Sequence, residues 1–413
     1  MRYIKGRCKG MASFLLSVII PTRNRQFYAE RAIEQVLSVA NERLQLVIQD
    51  NSDEPLLRSF CDRFAGDPRL TYQYTAQLLS FVDNFSEAVS LADGEFICMI
   101  GDDDGIMPEI VTVAAWAKEH DVDAVTQVTN AVYLWPAPES VLGYDNSSGT
   151  LRLSYPGTDA KQCKVRQAVE QWMSYGGQKY LATEMVKLYH GLVKKKCLET
   201  VKQKTGHYFG GLSPDIYAAV ALSLTVEKAV RIRYPITISG VCPGSGSADS
   251  ITGKHTGELK EAPHLKGHAD YTWSAAVPAF YSVETIWADS GLQAINELGM
   301  EEYMPLFNRA ALTMYCLHKS PSYKRTIKQY ARKHRITWFA VFRQTIRLRY
   351  RDFIRRLIKR LTRKTNDVSV IYDINDIVSA QKEVQNLLRR NGISMEEVIK
   401  NMTDVLGEGC SVY

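Results

Sequence analysis

The run Glu95-Phe96-Ile97-Cys98-Met99-Ile100-Gly101-Asp102-Asp103-Asp104-Gly105 limits what this chain can become more than any other stretch. An apolar segment of strand length, bracketed by glycines, stops at three consecutive aspartates. Adjacent carboxylates repel one another, so a buried strand that ends this way needs a counter-charge. A divalent cation held between protein and diphosphate supplies one, and hard oxygen ligands suit magnesium or manganese. In open α/β sheets, ligands gather outside the carboxyl ends of the strands, where these aspartates would stand. A solvated acidic turn after a core strand is the competing account.

The upstream chain favours the ligand site. Phe14-Leu15-Leu16-Ser17-Val18-Ile19-Ile20 is an apolar run suited to a buried parallel strand, and it stops at Pro21. A helical pattern follows through Ala32, Ile33, Val36, Leu37 and Val39. Leu44-Gln45-Leu46-Val47-Ile48-Gln49-Asp50 is a second strand with a polar end, and Leu56, Leu57, Phe60 and Phe64 mark another helix. Leu70 to Tyr74 reads as a third strand, and a helix after Asp83-Asn84 returns the chain to the acidic strand. Strands alternating with helices predict a mainly parallel sheet whose polar strand ends share one edge.

Ser17-Val18-Ile19-Ile20-Pro21-Thr22-Arg23-Asn24, Asp50-Asn51-Ser52-Asp53, Asn84, Ala92-Asp93-Gly94-Glu95-Phe96-Ile97 and Gly101-Asp102-Asp103-Asp104 occur in that order. The set resembles the nucleotide-binding half of inverting family 2 glycosyltransferases with the GT-A fold. The resemblance is close over roughly the first 130 residues and looser to about residue 240. It implies a Rossmann-like α/β sheet flanked by helices. It also implies that Pro21, Thr22, Arg23 and Asn24 form the loop holding the nucleotide of a sugar donor. Asp50 would accept a hydrogen bond from the base, usually uracil, and Asn84 would lie near the donor diphosphate and sugar. The family's acidic motif often reads Asp-x-Asp-Asp, then three residues and a proline. Pro108 sets that register here, so Gly101 stands in place of the first acid. Asp103 then matches the usual ligand of Mn2+ or Mg2+, with Asp102 either nearest the ribose or a second metal contact.

Inverting transfer needs a base for the acceptor hydroxyl, and a carboxylate at the entry of a helix can serve. In Gly211-Leu212-Ser213-Pro214-Asp215, Ser213 is placed to cap a helix, Pro214 suits its first position and Asp215 falls in its first turn. The family usually has Glu-Asp here, and Asp215 aligns with the second acid, which implies the catalytic base. Dipole stabilisation of the helix is the plainer role, and Asp159 and Glu184 are weaker candidates for the base. A late histidine completes the metal shell in several GT-A enzymes. His264 is the first candidate, ahead of His255 and His268, although a polar structural role fits any of them. Trp273, Phe280, Tyr281 and Trp287 could stack on a sugar, but at this density they read more simply as core. The Pro/Gly/Ser-rich stretch 136–162 reads as a loop or lid, and Ser239 to Ser247 as a further loop able to fold over a diphosphate.

Eight scattered cysteines without a C-x-x-C pair point to free thiols in a reducing cytoplasm. No apolar run reaches the length of a membrane span. Lys319 to Lys364 carries 17 Lys or Arg against one acid, Asp352. Apolar residues such as Trp338, Phe339, Phe342, Ile346, Phe353 and Leu357 interleave with those charges. Such helices suit an anionic membrane surface; a solvated basic helix on the catalytic body is the alternative. The expected layout is a catalytic domain over 1–318, with a nucleotide half near 14–130 and an acceptor half near 131–318. A helical region over 319–413 follows, with a small helical tail after 366. The expected protein is peripheral on the inner face of the cell membrane. Its acceptor is a lipid-linked or polymeric glycan of bacterial surface polysaccharide synthesis. A nucleotide pyrophosphorylase needs a Gly-rich loop that Pro21-Thr22-Arg23-Asn24 does not provide. A non-catalytic nucleotide module that binds nucleic acid through the basic segment lacks any RNA-binding motif to support it.

Overall fold

The computed structural model describes residues 14–128, 130–137, 149–243, 256–265, 271–361 and 368–407. The first four strands are β1 (Phe14–Thr22), β2 (Leu44–Asp50), β3 (Leu70–Tyr74) and β4 (Gly94–Met99). They lie parallel in the order β3-β2-β1-β4, joined by crossovers that contain the helices Gln26–Leu37, Arg58–Asp62 and Phe81–Ser90. β1 is buried along its whole length, as an apolar run covered on both faces must be. Val18 and Ile20 point into one hydrophobic layer with the Gln26–Leu37 helix; Ile19 between them points into the other, beneath Phe81–Ser90. The period of two thus divides one strand between two cores.

The chain continues through β5 (Gly105–Ile106), β6 (Ala124–Gln127), β7 (Ala131–Leu134), β8 (Thr150–Ser154), β9 (Ala160–Gln162), β10 (Gly191–Lys194), β11 (Ala229–Ile232) and β12 (Thr237–Val241). Four of these extend the first sheet to the order β3-β2-β1-β4-β10-β6-β11-β9, with β10 antiparallel to both neighbours. A ribbon of β13 (Thr256–Gly257) and β14 (Tyr281–Ser282) stands apart. The second sheet runs β15-β8-β7-β12-β5, where β15 (Val368–Ile371) comes from the tail. The expected α/β class, a mainly parallel sheet flanked by helices, is what the chain forms.

Three local expectations need correction. Within 136–162, residues 138–148 lie outside the described set, but 149–162 contains two strands, β8 and β9. Leu151 and Leu153 alternate inward around exposed Arg152, a period-two signal hidden by the surrounding Ser, Gly and Pro. Ser239 to Val241 belong to β12 and not to a loop: they pair in register with Val132 to Leu134, with Gly240 and Val241 buried. The tail is not simply helical either. β15 pairs antiparallel with β8, and the Ile377–Arg390 and Met395–Gly407 helices bury Ile377, Ala380, Val384, Leu388, Val398 and Met402 in the same core as Val18. Each of the larger side chains contributes about 1.5–3 kcal/mol when fully buried, so the tail is a structural part of the β1 layer.

The aromatic residues raised as sugar platforms sit mostly in packing. Phe280 is buried and stacked on Tyr323 at 4.7 Å, and Trp287 meets Tyr180 edge-on at 5.9 Å. The described cysteines (Cys61, Cys98, Cys163, Cys197, Cys242 and Cys316) are buried free thiols; Cys8 and Cys410 fall outside the described residues. No described helix is long and apolar enough to cross a membrane.

Candidate donor and transfer site

After β1 the chain turns at Asn24, whose φ of 55° lies in the left-handed region that asparagine tolerates better than most residues. Its side chain holds that turn. Asn24 Nδ2 donates to Asp53 Oδ2 and Asn24 Oδ1 accepts from Asp53 N, both at 2.9 Å, while Asn24 N donates to Ser52 Oγ. The turn sends the two flanking arginines to different places. Arg23 pairs with Asp53 at the exposed rim, at 3.0 Å. Arg25 runs inward to the acidic motif.

There the counter-charge demanded by the sequence is present in the chain itself. Arg25 Nη1 lies 2.9 Å from Asp102 Oδ1, and Nη2 lies 2.9 Å from Asp103 Oδ2 and 2.6 Å from Cys242 Sγ. Thr22 Oγ1 donates to Asp102 Oδ2 at 2.6 Å, so the loop after β1 and the motif after β4 are locked together. Burial pushes the Asp103 carboxyl up to about 7, reinforced by the charge of Asp104 and opposed by Arg25. Burial raises Asp102 too, with Arg25 and Thr22 pulling it back. Desolvation works against the Arg25 charge, but the two carboxylates outweigh it and hold the guanidinium pKa above its ordinary value.

Asp104 has a separate task. Its Oδ2 accepts from Gly101 N at 2.6 Å and Tyr189 Oη at 2.8 Å, with His190 Nε2 at 3.3 Å; its Oδ1 accepts from Gly240 N at 2.6 Å. Trp135 Nε1 donates to the Asp103 carbonyl, and Cys242 N to Asp103 Oδ2. The third aspartate therefore ties the end of β4 to β12, leaving Asp102 and Asp103 as the pair facing Arg25. Hard carboxylate oxygens of that pair suit a divalent cation. Arg25 holds one oxygen of each, so the chemistry fits a cation while a guanidinium stands in its place. Among the described residues no three His, Cys, Asp or Glu side chains converge as a preformed cation site.

The other expected donor residues sit around this pair. Asp50 is buried at the end of β2, accepting from Tyr72 Oη at 3.0 Å and Ser52 N at 2.9 Å. Asn84, on the Phe81–Ser90 helix, donates to the Thr22 carbonyl at 3.4 Å, and its buried Oδ1 has no partner. Pro21 and Thr22 form the buried end of β1. His264 lies on the turn Pro263–Leu265, its ring 5.7 Å from Phe81 of the Asn84 helix and 5.8 Å from Tyr281. His255 and His268 lie outside the described residues.

Asp215 occupies the first turn of the Pro214–Thr225 helix, with Pro214 at the predicted position. Ser213 departs from expectation: its hydroxyl donates to Asp215 Oδ1 and does not cap the helix backbone. The proton goes to a carboxylate, a strong acceptor; capping would use the hydroxyl oxygen to accept from a backbone N–H, and that bond is not made. Burial raises the Asp215 carboxyl, while Ser213 and the backbone amides pull it down. Its charge reaches Tyr180, which carries Lys187 5.4 Å over its ring. Burial depresses Lys187 to about 8, and that side chain in turn bears on His190 beside Asp104. Of the weaker base candidates, Glu184 pairs with Lys161 at 2.7 Å and Asp159 with Arg233 at 3.4 Å. Sequence reasoning missed Arg25, Tyr189, His190 and Trp135; only Arg25 had a usable signal, a cation three residues after Thr22.

Residues 17–134 match the sequence profile of the family described as Glycosyl transferase family 2. That stretch, with its parallel strands and polar strand ends, is a family 2 glycosyltransferase segment. The chain is 22% identical over 201 residues to Glycosyltransferase GlyG of Streptococcus pneumoniae serotype 4 (strain ATCC BAA-334 / TIGR4), covering 48% of this chain and 62% of that protein. It is 29% identical over 147 residues to WcaA of Escherichia coli (strain K12), a glycosyl transferase provisionally assigned to colanic acid biosynthesis, covering 34% and 52%. The chain thus spans less than two thirds of the length of either relative. Among solved structures, S. aureus TarS 1-349 in complex with UDP-GlcNAc superposes with a TM-score of 0.40 at 15% identity, covering 77% of this chain and 89% of that one. A superposition that loose carries no weight for this chain.

Proposed function

We propose that the protein is an inverting glycosyltransferase that moves a sugar from a nucleoside diphosphate, UDP in the first instance, to a glycan acceptor. The observation that carries this reading is the union of two strand ends, Thr22 hydrogen-bonded to Asp102 beside Asp103, within the family 2 segment. In this reading Asp50 and the loop 21–24 hold the nucleoside, and Asn84 stands beside the diphosphate. Asp102 and Asp103 hold Mn2+ or Mg2+, with His264 the candidate third ligand. The cation supplies charge neutralisation for the departing diphosphate.

Asp215 takes the proton of the acceptor hydroxyl as its oxygen forms a bond to the anomeric carbon. The bond from that carbon to the diphosphate oxygen breaks on the opposite face, and the nucleoside diphosphate leaves. Attack from the far side inverts the anomeric configuration. A carboxyl raised by burial is a better proton acceptor than one at the ordinary carboxylate value, which favours Asp215.

The acceptor proposed is a lipid-linked or polymeric glycan, as in surface polysaccharide synthesis, met at the cytoplasmic face of a membrane. The support is the Trp338–Leu361 helix. Phe339, Phe342, Ile346, Tyr350, Phe353 and Leu357 are all exposed along it. At 3.6 residues per turn they fall within an arc of roughly 80°, with Arg343 and Arg349 on its two borders. Val341, on the opposite side, is buried.

Thermal unfolding with UDP, GDP and their sugars, each with and without Mn2+, tests the reading. A nucleotide at 100 times its Kd stabilises by about 2.7 kcal/mol, a readily visible rise in Tm. A rise with one nucleotide that depends on Mn2+, together with transfer to a glycan acceptor, is the expected result. No stabilisation and no nucleotide release with any donor would sink it.

A further inference from the structure

The guanidinium of Arg25 occupies the place between Asp102 and Asp103 that a cation would take. We infer that Arg25 is the resident counter-ion of the donor site, displaced when a divalent cation binds, so that it sets how tightly the protein holds metal without nucleotide. The inference rests on the proposed role of Asp102 and Asp103 as cation ligands.

Three features make Arg25 an occupant of this place and not a permanent strut. First, one nitrogen reaches each carboxylate at 2.9 Å, so a single positive charge serves two carboxylates and leaves the pair short of a full counter-charge. Second, the fit is incomplete: Arg25 Nε is buried and has no hydrogen-bond partner, a cost that leaving would relieve. Third, a way out exists. About a quarter of the Arg25 side chain is exposed, and the residue follows directly on the left-handed turn at Asn24. Asn24 is anchored to Asp53 and Ser52 independently of Arg25, so the loop keeps its shape when the side chain swings away.

Competition follows from mass action. A ligand that binds only the fraction of molecules whose site is open has its apparent Kd raised by the inverse of that fraction. If Arg25 fills the site nine-tenths of the time or more, removing it tightens cation binding by about tenfold or more. Arginine and cation would compete here for the same two carboxylates, Asp102 and Asp103.

The test is titration of the full chain with Mn2+ alone, following free Mn2+ by electron paramagnetic resonance, for wild type and Arg25→Met. The expected result is Mn2+ binding about tenfold or more tighter in Arg25→Met, with a larger Mn2+-induced rise in Tm. Equal, measurable affinities in the two proteins would overturn the inference and leave the metal site standing. Absence of Mn2+ binding in both, even with UDP present, would overturn the inference and the cation reading together. Should Arg25→Met fail to fold, Arg25→Lys serves: its compact ammonium cannot reach both carboxylates in the fork geometry. Mn2+ affinity must then rise above wild type, and an unchanged value counts against the inference as plainly as before.

Discussion

The strand-end edge near Thr22, Asp50 and Asp102 and the carboxyl-terminal region 319–407 are built by opposite logics. At the edge, crossovers lay β1, β2 and β3 side by side and return the chain to β4 on the other flank of β1, so the polar ends of four parallel strands share one edge. In the terminal region the chain reaches back across the sequence: Val368 pairs with Ser154, Tyr133 Oη donates to the Ile374 carbonyl, and Trp116 Nε1 donates to Thr403 Oγ1. One region concentrates charge inside the protein, and the other spreads charge over its surface. Topology alone assembles the first, whereas the second depends on contacts no local pattern announces.

The largest effects should separate the two sides of the proposed reaction within the core. Asp215→Asn should lower transfer by about 10²–10⁴-fold while nucleotide binding stays near wild type. Asp103→Asn should lose transfer as well, and its Mn2+-dependent nucleotide binding with it. Calorimetry of UDP binding and a single-turnover assay on both variants decide the matter. If Asp215→Asn transfers normally at saturating acceptor, the base lies elsewhere and Glu184 or Asp159 becomes the next to test.

A second substitution probes the seam between the two sheets. A Cβ on Gly240 would stand 1.8 Å from the Asp103 carbonyl oxygen, a backbone atom that cannot step aside without moving the acidic motif. Gly240→Ala should therefore destabilise the protein by about 2–4 kcal/mol, read as a fall in denaturation midpoint at constant slope. An unchanged midpoint would mean that β12 does not press on the motif.

Legibility followed the same division. The parallel strands, the polar edge and the place of Asp215 at a helix start could all be read, because each depends on residues within a few positions of one another. The counter-charge requirement was also legible; its source was not. Arg23 and Arg25 look alike in sequence, and only the left-handed turn at Asn24 decides which faces inward. β8 and β12 were hidden because Gly and Ser residues in strands resemble loop until their partners are known. The tail helices had a visible apolar period, but β15 was not read, and its place in the second sheet rests on pairings more than 200 residues apart.

A buried acid beyond residue 131 gives a pH signature that a single substitution isolates from the raised Asp102 and Asp103 carboxyls. Asp289, on the Val283–Glu297 helix, accepts from Tyr271 Oη and Ser274 N. Desolvation nevertheless raises it from 3.8 to about 6. Between those values the folded state holds its proton more firmly than the unfolded chain does. Stability from this group is therefore greatest below pH 4, falls as pH rises to about 6, and is level above. Asp289→Asn keeps the shape and removes the titration. The wild type should lose about 2 kcal/mol relative to the variant from pH 4 to pH 6.5, measured by urea unfolding at each pH. Parallel pH profiles for the two proteins would show that the site is better solvated than its burial implies.

The smallest effects belong to the terminal helix, where they must appear in membrane binding and not in stability. Phe339 is 74% exposed, so Phe339→Ala should leave Tm within about 1 °C, since exposed substitutions away from packing contribute little. Each arginine near an anionic leaflet contributes about 1 kcal/mol, so Arg343→Gln should weaken binding to anionic vesicles about fivefold at low salt. High salt should narrow that difference, because the Debye length contracts from about 10 Å at 0.1 M to about 3 Å at 1 M. Phe339→Ala should instead weaken the part of the binding that survives high salt, since burying its ring in the interface does not depend on charge. Co-sedimentation with anionic and neutral vesicles at two salt concentrations separates the two contributions. Equal loss from both substitutions at both salts would mean that one undivided contact is being measured, and binding indifferent to either would place the membrane-facing surface elsewhere.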